Sequence, residues 1–341
     1  MSEFASLITD WQLHHGRHQL PWQGTRDPYR IWVSEIMLQQ TQVITVLNYY
    51  PRFMKRFPTV QALASAEEAD VLALWSGLGY YSRARHLHRA ARQVAGAGFP
   101  LTLAGWQALP GVGRSTAAAI LVFAYGDRHP ILDGNVKRVL ARVFACEGFP
   151  GAPDVERELW ALAEGLLPEN RVESYIQGLM DMGATVCTRH RPRCPVCPVQ
   201  FQCRAFAMDA VGRYPVARPA RPVKERTFRM LLLRHAGRLF MERRKSGGIW
   251  GGLWSFPEME MEGSPEHFVR EQWGLEGVVS KRHPPVQHVL THRRFVIHAV
   301  EMDVGMEGGG SSQWHRPGDA LKLALPVPVR RLVEHLSDRG D

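Results

Sequence analysis

Four of the five cysteines crowd into one short run, Cys187-x6-Cys194-x2-Cys197-x5-Cys203, while Cys146 stands apart. Thiols grouped this tightly read as metal or cluster ligands kept reduced, rather than as a disulfide framework. Four thiolates hold a tetrahedral zinc or a [4Fe–4S] cluster, and coordination chemistry alone does not choose between them. Pro195 and Pro198 stiffen the intervening turns. Arg189, Arg191 and Arg193 place cations beside the loop, as contacts for phosphates or as ordinary solvated surface. Cys146 reads as a small buried apolar residue.

A chain of 341 residues exceeds one ordinary core and suits two domains. With 45% apolar and 22% charged residues it has the balance of a soluble globular protein, and no apolar run is long enough to span a bilayer. The N-terminal stretch lacks the order of a signal peptide and reads as an amphipathic helix, so a cytoplasmic location is expected. The net charge of +9 favours a polyanionic partner, a weak signal until a motif supports it.

Up to the cysteines, apolar residues recur at three- and four-residue intervals, which predicts an all-α domain over 1–212. Asp27 before Pro28 reads as an N-cap with a first-turn proline, and Ser65 with Glu68 as a capping box that opens another helix. Helical periodicity runs through 80–95, 114–125, 135–145, 154–166 and 172–186. A Pro- and Arg-rich linker is expected at 213–226. Beyond it, over 227–341, two strands flank the turn His235-Ala236-Gly237, further strand-like runs lie at 286–290 and 295–303, and a helix falls at 264–273, which makes this domain α+β.

Two further motifs carry chemistry. In LPGVGRSTAAAI, residues 109–120, Gly111 and Gly113 form a tight turn before a helix, where free amides at the helix N-terminus attract a phosphate oxygen. LDGNVKRVL follows at 132–140. In SEIMLQQTQV, residues 34–43, Glu35 sits among Val33, Ile36 and Leu38, surroundings that raise a carboxylic acid's pKa by desolvating its ionised form.

The whole chain resembles the MutY family of adenine DNA glycosylases, within the helix-hairpin-helix and endonuclease III superfamily. The resemblance runs from Leu20-Pro21-Trp22 through SEIMLQQTQV, GLGYYSRARHL at 77–87, the glycine hairpin, Asp133-Gly134-Asn135-Val136 and the cysteine run. It implies a [4Fe–4S] cluster on Cys187, Cys194, Cys197 and Cys203. It implies a monofunctional hydrolase of base excision repair that removes adenine paired with 8-oxoguanine or guanine in double-stranded DNA, acting as a monomer.

Carried over position by position, Glu35 is the acid that protonates the departing adenine, and Asp133 the carboxylate that stabilises the sugar cation. Asp133 is expected to stay ionised beside the amides that open the next helix. Asn135 helps hold the site and its water. Trp22, Gln23, Gln40, Thr41, Leu78, Gly79, Tyr80, Gly111, Gly113 and Ser115 are expected at the DNA or the extruded base, Gln40 and Tyr80 entering the duplex, while Tyr81 is available to fill core. Endonuclease III relatives carry a lysine where Ser115 stands, and serine cannot form the Schiff base that a lyase needs.

The C-terminal part resembles the MutT-like Nudix domain of the same family. Of the glutamates that a magnesium-dependent pyrophosphatase requires, HFVREQWGL at 267–275 keeps Glu271 alone, which disfavours hydrolysis and favours reading of the base opposite adenine. Leu290, Thr291 and His292 stand where several relatives have Phe-Ser-His in the 8-oxoguanine-reading loop, with an aromatic replaced by leucine. The rival readings are a glycosylase-lyase for oxidised pyrimidines, disfavoured by Ser115 and Glu35, a noncatalytic cluster protein that binds DNA, and a Nudix hydrolase.

Overall fold

The computed structural model describes residues 2–220, 222–245, 247–290, 293–305 and 313–337. Residues 1–65 and 86–220 group into one compact unit, and residues 66–85 and 221–341 into the other. No helix among the described residues is long and apolar enough to cross a membrane.

The first unit is helical. It comprises α1 (Glu3–His15), α2 (Pro28–Leu38), α3 (Val43–Arg56) and α4 (Val60–Ala64). After α5 (Glu68–Trp75), which belongs to the other unit, come α6 (Ser82–Ala97), whose residues up to Arg85 group with that unit, α7 (Leu103–Gln107), α8 (Arg114–Tyr125), α9 (Gly134–Val143), α10 (Pro153–Gly165), α11 (Val172–Thr185) and α12 (Arg204–Ala207). The Asp27 side chain accepts from the Tyr29 amide and Pro28 opens α2, as the sequence predicts. Ser65 behaves differently. It closes α4, its hydroxyl turning back to the Gln61 carbonyl, and α5 starts from Glu67 without a side-chain cap. Ala5, Ile8, Val122, Val136, Leu140, Ile176 and Leu179 meet in one core between α1, α8, α9 and α11.

In the second unit, β1 (Lys224–His235) lies parallel to β8 (Arg293–Val304) through the register Lys224↔Arg293 to Arg234↔Asp303. On the other side of β1 run β2 (Arg238–Phe240) and β9 (Trp314–His315), and β8 is edged by β6 (Gly277–Arg282) and β7 (Val286–Val289). The hairpin β3 (Glu242–Arg243) and β4 (Trp254–Ser255) forms a separate pair, and β5 (Glu258–Met259) joins β1. Helices α13 (Pro265–Trp273), α14 (Pro317–Ala320) and α15 (Val327–Ser337) complete the unit. Leu231 and Leu233 of β1 and Val300 and Met302 of β8 pack on Val269 of α13, the near-continuous apolar run expected of central strands.

Strand β1 begins inside the stretch read as a linker, because Lys224, Glu225 and Arg226 find ladder partners on β8. At the other end of that stretch Tyr214 is buried, its backbone carbonyl held by Arg142.

Candidate active site and cysteine pocket

A cleft of about 1570 Å³ opens in the helical unit and is walled by α2, the start of α3, the first turns of α8 and α9, and α11. Trp22, Gln23, Glu35, Gln40, Thr41, Ser115, Asp133 and Asn135 all line it. These residues are scattered over more than a hundred positions of sequence, and the packing of α2 on α8 and of α9 on α11 brings them together.

Glu35 projects from the third turn of α2, between the buried Ser34 and Ile36. Burial pushes its carboxyl up to about 8, and the nearby charge of Asp133 adds to the rise. Asp133 is the N-cap of α9, and one oxygen accepts from the Asn135 and Val136 amides at 3.0 and 2.8 Å. The Asn135 side chain donates to the other oxygen at 3.4 Å.

The amides at the start of α9 do not set the Asp133 carboxyl alone. Burial raises it, and the two amides, Arg138 and Asn135 pull it only part of the way back. The charge of Asp133 is among the causes of the Glu35 rise, so the two carboxyls are coupled.

The wall near Trp22 is set by a buried ion pair. Asp181 of α11 is fully buried, and it takes the Arg17 amide at 2.8 Å and the Arg17 Nε at 2.7 Å. Gln23 then uses its amide on the Arg17 carbonyl and the Leu20 N–H, so its side chain builds this turn. Trp22 is buried edge-on against Tyr50. Gln40 is exposed at φ 57, a left-handed backbone uncommon for a side chain of its size. Thr41 lies beside it on the cleft wall.

Gly111 and Gly113 are exposed in the turn between α7 and α8. Gly111 needs its φ of 79, and a Cβ there would lie 2.8 Å from that of His86. Gly113 caps α8 with no side-chain partner for the first amides, the open helix start that the sequence implies. Ser115 accepts the Leu132 amide at 3.0 Å, tying the hairpin helix to the residue before Asp133.

Leu78, Gly79 and Tyr80 belong to the other unit. Leu78 is buried there, Gly79 has φ 76, and Tyr80 stands 44% exposed at φ 49. Tyr81 is anchored instead, its hydroxyl donating to the Leu325 carbonyl and accepting from the Gly77 amide. Leu290 follows β7 and its amide donates to the Arg293 carbonyl at 2.8 Å, while Thr291 and His292 lie outside the described residues. Glu271 on α13 is exposed and faces His267.

The cysteines converge. Cys187, Cys194, Cys197 and Cys203 line one pocket with Val139, Arg142 and Met182. Burial, with the neighbouring sulfurs, raises Cys197 to about 11 and also raises Cys194 and Cys203. Among the described residues no three His, Cys, Asp or Glu side chains are arranged to hold a single metal ion. Four cysteines around one shared pocket are a donor set that a cluster taking one thiolate per iron would accept.

Several residues that organise the site escaped the sequence reading. Arg138 donates to the Asn135 oxygen at 2.7 Å and to the Gly183 and Cys187 carbonyls at 2.6 and 2.7 Å. Arg142, buried, donates to the Thr188 carbonyl at 2.7 Å and to the Cys187 sulfur at 3.3 Å. Their spacing from Asn135 along α9, three and then four residues, places them on one helix face, and that was the available signal. Arg193, offered as a phosphate contact, spends its guanidinium on the Thr185 carbonyl at the end of α11.

Residues 33–164 match the HhH-GPD superfamily of base excision DNA repair proteins, and residues 229–335 match the NUDIX domain. The chain is 32% identical to the adenine DNA glycosylase of Buchnera aphidicola subsp. Schizaphis graminum over 97% of this chain and 98% of that protein. It is 35% identical to the human adenine DNA glycosylase over 78% of this chain and 59% of that protein. Among solved structures, a thermostable thymine-DNA glycosylase is similar at a TM-score of 0.55 and 29% identity, over 60% of this chain and 95% of that one. Endonuclease III bound to DNA, at 20% identity and a TM-score of 0.52, shares the fold over 60% of this chain and 94% of that one.

Proposed function

Given that the chain belongs to the MutY family of adenine DNA glycosylases, hydrolases of N-glycosyl bonds in base excision repair, we propose that it excises adenine paired with 8-oxoguanine or guanine by acid-assisted hydrolysis. One observation carries the mechanism: two carboxyls line one cleft, and Glu35, pushed up to about 8, keeps its proton at neutral pH, while Asp133 is held by two backbone amides and the Asn135 side chain.

Adenine is a poor leaving group as an anion, so the base must gain a proton while positive charge grows on the sugar. Glu35 supplies that proton to a ring nitrogen of the extruded adenine. Asp133, fixed by the Asn135 and Val136 amides, faces the oxocarbenium-like sugar and stabilises it by charge or by a covalent bond. Asn135 orients Asp133 and the incoming water. Ser115 has no amine to offer and its oxygen holds Leu132, so base removal stops short of strand cleavage.

Gln40 and Tyr80 enter the duplex and occupy the space that the adenine leaves, while the amides at Gly111 and Gly113 hold a phosphate. The segment Leu290, Thr291 and His292 reads the opposite base. Cys187, Cys194, Cys197 and Cys203 hold a [4Fe–4S] cluster, which when bound cross-links the segment between α11 and α12 and supplies a redox-capable centre. The enzyme acts as a monomer on one lesion.

The test is single-turnover base release from duplexes with adenine opposite 8-oxoguanine, guanine and thymine, each developed with and without alkali. The proposal expects fast release from the first, slower from the second, none from the third, and strand breaks only after alkali. Release from none of them, or breaks without alkali, overturns it.

A further inference from the structure

Tyr80 holds an unfavourable position twice over. An aromatic residue at φ 49 carries backbone strain, and its ring, 44% exposed, forgoes burial. It persists because the loop beneath it is fixed from several sides. Tyr81 and Ser76 bind the Leu325 carbonyl, the Trp75 indole donates to the Gly79 carbonyl at 3.1 Å, and the Arg83 amide returns to the Tyr80 carbonyl at 2.9 Å.

The side chain of Arg83 ties these together. It is 7% exposed, and one nitrogen donates to the carbonyls of Gly79 and Leu78 at 3.1 and 3.4 Å. Its guanidinium lies 5.3 Å from the centroid of the Tyr80 ring and 5.5 Å from that of Trp75, so one cation faces both an exposed and a buried aromatic. A buried charge is costly to keep unless its contacts are needed together, and an apolar side chain of similar length would fill the space without them.

We propose that Arg83 is a positioning residue that presents Tyr80 to DNA, holding its ring out and its backbone left-handed before the duplex arrives. This rests on the reading of Tyr80 as the side chain that enters the duplex. Without the two carbonyl bonds, Gly79 and Tyr80 relax toward ordinary backbone and the ring folds down on Trp75. The loop then reorders at the moment of binding, which slows base extrusion and not the chemistry that follows.

The test is a double-mutant cycle on single-turnover adenine release, with thermal midpoints for every variant. Tyr80→Ala and Arg83→Met are each expected to slow release about tenfold or more, and the double variant no more than about twofold beyond the slower single, because Arg83 acts through Tyr80. Arg83→Lys keeps the cation but not both carbonyl bonds and is expected to fall between wild type and Arg83→Met. If Arg83→Met does not fold, the same cycle is run with Arg83→Lys. Losses that multiply in the double variant, or release by Arg83→Met at the wild-type rate, overturn the proposal. A wild-type enzyme that releases no adenine from any duplex overturns instead the functional reading beneath it.

Discussion

Arg138 ties Asn135 to Cys187: one guanidinium donates at 2.7 Å to the side-chain oxygen of the first and at 2.7 Å to the backbone carbonyl of the second. Asn135 in turn touches Asp133, so the carboxylate at the head of α9 and the first cysteine of the pocket share a partner. Arg138→Met removes those bonds while retaining most of the side chain's length. Base release is expected to fall about a hundredfold, the loss typical of a misplaced reacting group, with iron content unchanged. Arg138→Lys should recover part of the rate. A wild-type rate in Arg138→Met would show that Asp133 and Asn135 are held without it.

Gly183 lets α11 approach α9. A Cβ there would sit 2.7 Å from the Asn135 Cβ and 3.2 Å from its Cα and backbone oxygen, atoms that cannot swing aside. Gly183→Ala is therefore expected to lower stability by roughly 1–3 kcal/mol, the usual effect of overpacking, and to slow release at least about tenfold by displacing Asn135. Gly134→Ala is the control, because a Cβ at that position meets nothing within 4 Å. Equal thermal midpoints and rates for Gly183→Ala and wild type would contradict the close approach.

The cysteine pocket yields a compositional prediction. Protein purified without oxygen should contain iron and acid-labile sulfide in equal amounts, about four of each per chain, and negligible zinc. Because the raised thiols are protonated when free, assembly must displace those protons, and acidification should weaken it. Cys197→Ser is expected to lower iron content and to expose the segment between α11 and α12 to proteolysis. One zinc per chain and no sulfide would contradict the assignment.

Much of the helical unit was legible because its signals are local. Asp27 with Pro28 starts α2, the glycines mark the turn before α8, and the periodic stretches coincide with α6, α8, α9, α10 and α11 within a few residues. Where one residue can serve two helices the reading failed: Ser65 satisfies a carbonyl behind it as well as it could have satisfied an amide ahead. The carboxyls divide in the same way. Glu35 was readable from its apolar neighbours, whereas the rise at Asp133 depends on how deeply α9 begins, a tertiary property. Arg138 and Arg142 went unread because the carbonyls they bind, on α11 and the cysteine loop, are distant in sequence. The grouping of residues 66–85 with the C-terminal strands rests on pairings such as Tyr81 with Leu325, distant in sequence.

The central claim is that Glu35 is the acid, and its pH dependence follows from its environment. A carboxyl raised by burial is neutral below its folded value, so base release should hold through neutral pH and decline as pH rises past about 8. The same burial costs stability once the unfolded chain ionises. Relative to wild type, Glu35→Gln should therefore gain stability progressively above the ordinary carboxylate range, with the gain complete above about 8. The most direct test is single-turnover adenine release from pH 6 to 9.5 for wild type and Glu35→Gln, with thermal midpoints at each pH. The account predicts a wild-type rate that falls on the alkaline side, and a Glu35→Gln enzyme that is folded, more stable at high pH and at least about a thousandfold slower, within the usual range for loss of a general acid. Release by Glu35→Gln at the wild-type rate, or a wild-type rate that climbs through pH 9, would contradict it.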